Sequence, residues 1–441
     1  MEELPGSRDV FGQLPRLKGY THLALCFHYP DTKPRESAVE SLQKACRRLT
    51  TALPWLAGRV VNRDASPGCS GVFTIYTCTE TEAILKVQDR SDVCPSYDDI
   101  IRTNGSSDML DCSLLSAETT LPDSYEDESA SVLTLTATWI KSGIILDCAA
   151  QHNIFDMGGM DQFLRLLATS LQNGDLPQPA IEINNRDRRS IFPLLGQDEI
   201  QYEHTAMRCP SALNKPLRPP PPPGPRPTFQ HFRFSAASLG SITEMCNTPS
   251  MDDALSAFVW KRLSTVRLHL YNKPGAVTGF SRAVDCRRTL NVPTQYMGQL
   301  AVKTFSAMTL RKVEESSLET VAAYLRKDLQ KIRDQNFLRS LATLIDSEPD
   351  KSTFNYVQGF NPDTWINASS WAGVSAYTLE FGLLGKPAVI RRPTSKPVQS
   401  LLYFLPRMEQ GDIDVLLCLR DEEILMLKKD EEWSKYALYI G

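Results

Sequence analysis

The chain has 441 residues, of which 42% are apolar and 23% charged, and its formal net charge is −4 at pH 7. This composition is that of an ordinary globular protein, and the length suits two or three domains of typical size. The small net charge and the absence of a long Lys or Arg run exclude a broad basic surface for nucleic acid. No apolar stretch approaches the length that a bilayer-spanning helix needs.

The cysteines and the N-terminus indicate the compartment. Eleven cysteines are scattered from Cys26 to Cys418, with no Cys-x-x-Cys pair and no histidines at zinc spacing. We therefore expect reduced, structural thiols and no metal site. The N-terminus lacks the basic region followed by an apolar region that marks a secretory leader, so we expect a cytoplasmic protein.

The first half of the chain mixes helices and strands. Apolar residues at helical spacing from Val39 to Leu53 predict a helix that ends at Pro54. Residues 133–139 alternate in polarity and residues 144–150 are apolar, which predicts two adjacent strands. A further helical pattern follows between residues 160 and 171. The segment from 151 to 159 therefore connects a buried strand to an amphipathic helix.

That connecting segment carries His152 and Asp156, four positions apart. A histidine held there can take a proton from a hydroxyl near neutral pH, a contribution of roughly 10²–10⁴-fold in rate. Asp156 can orient the histidine, or it can turn away and lock the loop. The competing interpretation is a core histidine bonded to the backbone beside a loop-capping aspartate. The motif alone does not decide between them.

A proline-rich stretch over residues 218–227 divides the chain near its middle. Such a stretch forms neither a helix nor a sheet interior and is extended and stiff. It can dock on SH3-like partners, but between two similar halves a spacer is favoured. We therefore predict one domain over residues 1–185, a crossover over 186–228 and a second domain over 229–441.

Several segments of the second half carry specific helix-capping patterns or short sequence motifs. Ser250 with Asp253, and Ser316 with Glu319, resemble capping boxes that begin helices. A strand of alternating polarity from residue 283 ends in an Asp-x-Arg pattern. A Ser-Ser-Trp segment and a segment with two glycines follow later in the chain. These patterns are Asp285-x-Arg287, Ser369-Ser370-Trp371 and residues 377–387.

In this order, the segments resemble the BAHD superfamily of acyl-CoA-dependent acyltransferases, and particularly its fungal branch, which includes trichothecene acetyltransferases. That family shows His-x-x-x-Asp in mid-chain and Asp-Phe-Gly-Trp-Gly near the C-terminus. The resemblance covers nearly the whole chain. The sequence departs from the family in the second motif: Glu380 stands where Asp is usual, Leu383 replaces Trp, and Gly385 comes one residue late. Because that segment is mainly structural in the family, the departure concerns local geometry, and we expect no catalytic role for Glu380.

The resemblance implies an α/β fold of two chloramphenicol-acetyltransferase-like domains with a channel between them and His152 at its middle. Acyl-CoA would enter as a co-substrate from one side, with no permanently bound cofactor, and a small secondary-metabolite alcohol from the other. His152 would act as general base in a ternary complex, so that the hydroxyl attacks the thioester directly. We expect a monomer that binds neither nucleic acid nor a membrane.

The resemblance also assigns roles to further residues. Ser369 and Trp371 would supply hydrogen-bond donors for the developing oxyanion, although loop bonding and core packing are competing interpretations. Asp156 would pair with Arg287 and brace the channel. The predicted contacts of coenzyme A are a helix start and three basic side chains, which can also be merely solvated: Ser250, Lys386, Arg391 and Arg392.

Other functions stay open at this point. A condensation domain shares this ancestry, but Gln151 and Met157 replace the first histidine and the glycine of its His-His-x-x-x-Asp-Gly motif. The acyl group can nevertheless be delivered by an acyl carrier protein instead of coenzyme A. A non-catalytic binding protein on the same scaffold is a different class of answer, which the retention of His152 and Asp156 disfavours. A serine or cysteine hydrolase is disfavoured, because the sequence has no Gly-x-Ser-x-Gly elbow and no cysteine in a recognisable nucleophile context.

Overall fold

Helices and strands alternate in both halves of the chain. The structure is a computed structural model that describes residues 2–77, 84–118, 120, 129–210, 226–248, 250–354 and 360–441. Within these residues the helices are α1 (Arg35–Ala52), α2 (Tyr97–Arg102), α3 (Cys112–Leu115), α4 (Met157–Leu171), α5 (Gln178–Asn184), α6 (Ala236–Met245), α7 (Met251–Tyr271), α8 (Leu310–Glu315), α9 (Leu318–Ile332), α10 (Gln335–Ser347), α11 (Asp421–Lys429) and α12 (Glu431–Tyr436).

The strands form three sheets. They are β1 (Glu2–Glu3), β2 (Tyr20–His28), β3 (Arg59–Arg63), β4 (Val72–Thr77), β5 (Leu85–Asp89), β6 (Ser129–Ser131), β7 (Leu133–Ile140), β8 (Gly143–Gln151), β9 (Thr228–Phe234), β10 (Val277–Asp285), β11 (Ala301–Thr309), β12 (Trp365–Ser370), β13 (Val389–Arg391), β14 (Leu401–Phe404), β15 (Ile413–Leu419) and β16 (Ala437–Tyr439). Their spatial orders are β1-β4-β3-β6, β13-β2-β8-β7-β5 and β11-β10-β12-β14-β15-β9-β16.

The five-stranded sheet carries the predicted strand pair of the first half. β7 and β8 are antiparallel neighbours, and β2 pairs with the other edge of β8. Helices α1 and α4 contact each other, and their apolar residues belong to the same buried core as β2 and β8, for example Leu42, Phe163 and Leu146. Burial on both faces explains why β8 is almost wholly apolar.

The seven-stranded sheet belongs to the second half. One face packs against α7, whose apolar residues form one core with Ile366, Leu402 and Val415. The opposite face is left for other contacts. Because side chains alternate along a strand, the residues next to Ile366 and Leu402 lie on that opposite face.

The two halves are joined through strand β13. It comes from the second half, yet it pairs antiparallel with β2 in the sheet of the first half. The predicted α/β fold with two sheet-rich halves is confirmed. The domain limits at residues 185 and 229 stay a prediction, and residues 211–225, most of the proline-rich stretch, lie outside the described residues.

Two predicted helix starts differ in detail. Ser250 caps α7 by accepting a hydrogen bond from Asp253 N, but the Asp253 carboxylate binds Arg282 at 2.5 Å instead of completing a capping box. The predicted box of Ser316 with Glu319 is wrong: Ser316 lies at the end of α8, and Ser317 caps α9. Because Ser316 and Ser317 are consecutive, the sequence does not show which of them caps α9. In the structure Ser316 is the C-cap of α8, so Ser317 takes the N-cap position of α9.

Among the described residues, no helix combines the length and the apolar character that crossing a membrane requires.

Candidate active site

The loop between β8 and α4 fixes the orientation of His152. Its backbone N–H donates to Gly19 O at 2.8 Å, and its ring Nδ1 lies 2.9 Å from Phe155 O. A carbonyl only accepts hydrogen bonds, so Nδ1 must carry the ring proton. Nε2 is therefore left with a free lone pair, which is the form that a general base needs.

The surroundings of His152 keep the imidazole neutral. Burial is the largest effect and lowers its pKa below the usual 6.5, while the Phe155 carbonyl and Asp156 act in the opposite direction. The nearby charge of Lys303 lowers the pKa further. At pH 7 the histidine is thus unprotonated and ready to accept a proton.

Asp156 has structural partners rather than the histidine ring. It is the N-cap of α4, where Oδ1 accepts from Gly159 N at 2.8 Å, and Oδ2 accepts from Leu300 N at 2.8 Å. It is 4% exposed. The aspartate therefore fixes the start of the helix that follows His152, and it ties that helix to the segment before β11.

Arg287 completes this connection between the halves. Its two terminal nitrogens donate to the two Asp156 oxygens at 2.9 and 2.7 Å, the bidentate geometry of a strong ion pair. The remaining donors bind Tyr296 O, Gly298 O and the Asp285 carboxylate at 2.7–2.9 Å. All five guanidinium N–H groups are thus used, so this buried cation has no unsatisfied donor.

The glycine at position 159 allows the two halves to approach this closely. A Cβ atom there would lie 2.1 Å from Met297 O, a distance that no side chain tolerates. The start of α4 therefore packs directly on the backbone that Arg287 holds.

A cavity of about 480 Å³ lies between the two halves, and His152 lines it. One wall is formed by the His152 loop and the chain near Gly19. The opposite wall is the free face of the large sheet, where alternating residues of four neighbouring strands line the cavity, joined by Val284 and Ser370 near the strand ends: Ala283 and Asp285, Ala301 and Lys303, Asn367 and Ser369, Leu401 and Tyr403. The strand periodicity thus places these side chains across from the candidate base.

Ser369 and Trp371 both line the cavity, but they play different parts. Trp371 Nε1 donates to Ser369 Oγ at 3.0 Å, so the indole N–H is already engaged. Among the described residues, no protein group accepts the Ser369 hydroxyl proton. Of these two residues, Ser369 is therefore the one that can donate a hydrogen bond inside the cavity, and Trp371 holds its oxygen in place.

Lys303 and Asn367 are cavity residues that the sequence analysis missed. Lys303 Nζ donates to Asn367 Oδ1 at 2.5 Å. Burial, followed by repulsion from Arg16, lowers the pKa of Lys303 to about 8, so it is still mostly charged at pH 7. One signal was present: Lys303 is the single charged residue in the nine residues of β11.

Of the four predicted coenzyme A contacts, the structure brings only Arg392 to this cavity. Its guanidinium lies near the Phe229 and Tyr403 rings, and Nη1 is buried without a hydrogen-bond partner. The other three are engaged elsewhere: Ser250 caps α7, Lys386 pairs with Glu409 at 2.6 Å, and Arg391 pairs with Asp414 at 2.7 Å.

The segment with two glycines near Glu380 lies outside the cavity. Glu380 is exposed and its backbone carbonyl accepts from the Gln172 side chain at 2.8 Å. Phe381 is buried with its ring against Phe27. The structure thus gives this segment a packing position in the first-half core.

Comparison with known proteins adds independent evidence. A family model described as the trichothecene 3-O-acetyltransferase-like N-terminal domain matches residues 19–170. The chain is 40% identical to the O-acyltransferase pigD of Monascus ruber over the full length of both proteins. It is 32% identical to the trichothecene 3-O-acetyltransferase TRI101 of Fusarium sporotrichioides over 98% of this chain and 96% of that one. The crystal structure of that F. sporotrichioides protein complexed with coenzyme A and T-2 superposes with a TM-score of 0.89, covering 98% of this chain and 99% of that one.

The Asp156–Arg287 pair yields a stability prediction. We expect Asp156→Asn to lower the free energy of unfolding by about 3–5 kcal/mol, because it leaves the buried Arg287 without its full counter-charge. Thermal and urea unfolding measure the change. Glu423→Gln is the matched control, since Glu423 forms a fully buried pair with Arg267 away from the cavity. An Asp156→Asn variant as stable as the parent, beside a destabilised control, would contradict the bracing role.

Proposed function

Because the chain belongs to the trichothecene 3-O-acetyltransferase-like family of fungal acyltransferases, we propose that His152 is the general base with which it transfers an acyl group to a small secondary-metabolite alcohol. The protein is an acyl-CoA-dependent O-acyltransferase with acyl-CoA as its co-substrate. The observation that supports the role of His152 is its unprotonated Nε2 in the cavity between the halves.

The proposed reaction is a direct transfer with both substrates bound. The acceptor hydroxyl gives its proton to His152 Nε2 as its oxygen attacks the thioester carbonyl. The tetrahedral intermediate then collapses, the C–S bond breaks, and the leaving thiolate takes the proton back from the imidazolium. The hydrogen bond from Nδ1–H to Phe155 O holds the ring throughout, and the nearby Asp156 charge favours the transient imidazolium.

Ser369 is the proposed donor to the oxyanion of the intermediate. Its oxygen already accepts the Trp371 indole N–H, which leaves the hydroxyl proton for a ligand. A donor oriented before the reaction stabilises charge that develops in the transition state without reorganisation. Trp371 acts as a positioning residue in this proposal.

The donor substrate is proposed to be free acyl-CoA rather than an acyl carrier protein. Arg392, with its partnerless buried Nη1, supplies a cation inside the cavity for a phosphate of coenzyme A. Contacts of Ser250, Lys386 and Arg391 with coenzyme A stay predictions, and these residues do not line this cavity. Turnover with purified acyl-CoA in the absence of any carrier protein tests this choice of donor.

We also propose a cytoplasmic monomer. All ten cysteines of the described residues have free thiols, as is usual in a reducing compartment.

One cluster among the described residues has the three residue types of a cysteine hydrolase triad. Cys112 Sγ lies 3.8 Å from His22 Nδ1, and the same nitrogen lies 3.1 Å from Asp147. A catalytic triad needs the nucleophile and the acid on opposite ring nitrogens. All three side chains are buried and none lines the cavity, so this cluster favours no hydrolytic function.

The first test of the proposed function is His152→Ala. We expect the variant to fold and to lose at least about 10²-fold in kcat/KM, measured as release of free thiol, because the only proposed base is removed. His204→Ala is the control: that buried histidine bonds Ser340 at 3.0 Å and lies outside the cavity.

Two outcomes would count against this assignment. The first is a His152→Ala variant with turnover within a few-fold of the parent. The second is a kinetically competent acyl-enzyme, detected by mass spectrometry after mixing with acyl-CoA alone, which would indicate a covalent route instead of direct attack.

A second prediction concerns the oxyanion. We expect Ser369→Ala to lower kcat by about 10²–10³-fold with little change in KM, the usual effect of removing one oxyanion donor. Trp371→Phe keeps an aromatic ring but removes the indole N–H, so a smaller loss of about ten-fold is expected. Ser264→Ala, which removes a buried hydroxyl on α7 outside the cavity, serves as the control. A kcat of Ser369→Ala within three-fold of the parent would rule out this donor.

A further inference from the structure

Lys303 places a positive charge on the cavity wall without a carboxylate beside it. Lys303 Nζ donates a hydrogen bond to the neutral Asn367 side chain. Within the described residues, no Asp or Glu lies at ion-pair distance from Nζ. The positive charge of Arg16 repels that of Lys303 and helps to lower its pKa. An ammonium group has three donors, so two remain for other partners.

Each acid that lines the same cavity is ion-paired with an arginine. Asp156 and Asp285 share Arg287, each with an oxygen at 2.9 Å or closer. Asp161 pairs with Arg165 at 2.9 Å. Among the described residues, none of these carboxylates lies at ion-pair distance from Lys303 Nζ, so Lys303 has no direct carboxylate partner on the cavity walls.

Asn367 adds a second donor at the same place. Lysine can only donate, so the Asn367 oxygen must face Nζ and its NH₂ group points away from it. No protein acceptor for that NH₂ group is recorded among the described residues. An ammonium and an amide N–H₂ held next to each other form a site for an anionic oxygen acid.

The donor pair of Lys303 and Asn367 lies close to the residues that are proposed to carry out the transfer. Lys303 is opposite Ala283 in the β10–β11 ladder, and Asn367 is two residues before Ser369 on β12, on the same face. The charge of Lys303 also acts on His152. The site is therefore close to the groups proposed to carry out the transfer.

We propose that Lys303 and Asn367 bind a carboxylate group of the acceptor, and so select hydroxy acids over neutral alcohols. This inference rests on the proposed function, because it takes the cavity as the acceptor site. The phosphates of coenzyme A are the other source of negative oxygen. Those phosphates are already assigned to Arg392 in the proposed function, and the second arm of the test distinguishes the two sources.

The test uses two ligands of the same shape, 2-naphthoate and 2-naphthamide, and measures binding to the intact protein by isothermal titration calorimetry. We expect naphthoate to bind about ten-fold more tightly or better, the ratio that one charge-assisted hydrogen bond provides. Lys303→Met should erase this difference and leave naphthamide binding within two-fold. Lys44→Met is the matched control, because Lys44 forms the same Lys–Asn contact, with Asn173 on the exposed surface.

A second arm repeats the naphthoate titration with saturating coenzyme A. Retained binding supports an acceptor-side site, whereas displacement of naphthoate by coenzyme A overturns it in favour of a phosphate contact. The proposal is also overturned if the parent binds acid and amide equally, if it shows no measurable naphthoate binding, or if Lys303→Met weakens both ligands alike. Because none of these readouts requires turnover, a failure of the general-base assignment in the His152→Ala assay would be distinguishable.

Discussion

The bidentate pair between Asp156 and Arg287 is the interaction on which the rest of the site depends. It connects the helix that begins after His152 to the segment before β11, and therefore joins the two halves of the chain at the cavity. A buried ion pair contributes little net stability compared with apolar packing, but its geometry is specific. Its value here is positional: it fixes the loop of His152 relative to the sheet that carries the opposing groups.

The large sheet supplies those groups from one of its two faces. One face packs on α7, and the other presents Lys303, Asn367 and Ser369 to the cavity. The base lies on a loop held by backbone contacts, whereas the proposed donors lie on rigid strands. This division suits a direct transfer, because hydrogen-bond donors aimed at developing charge must not reorganise during the reaction.

Much of this arrangement was predictable from local pattern. The strand, loop and helix around His152 followed from alternation and helical spacing, and the family resemblance paired Asp156 with Arg287. Lys303 and Asn367 were missed because exposure to a cavity depends on how distant segments pack, which strand periodicity does not reveal. The engagement of the Trp371 indole by Ser369 likewise depends on side-chain geometry. Ser316 was misjudged because neighbouring serines offer equivalent caps.

The central claim is that His152 is neutral at pH 7, with the proton on Nδ1 and the lone pair of Nε2 in the cavity. Nuclear magnetic resonance of protein labelled with ¹⁵N-histidine tests it directly, with His152→Ala identifying the signal. The account predicts a protonated-type Nδ1 and an unprotonated-type Nε2 shift at pH 7, and a titration midpoint below the usual 6.5. A proton on Nε2, or a ring that is charged at pH 7, would contradict the account.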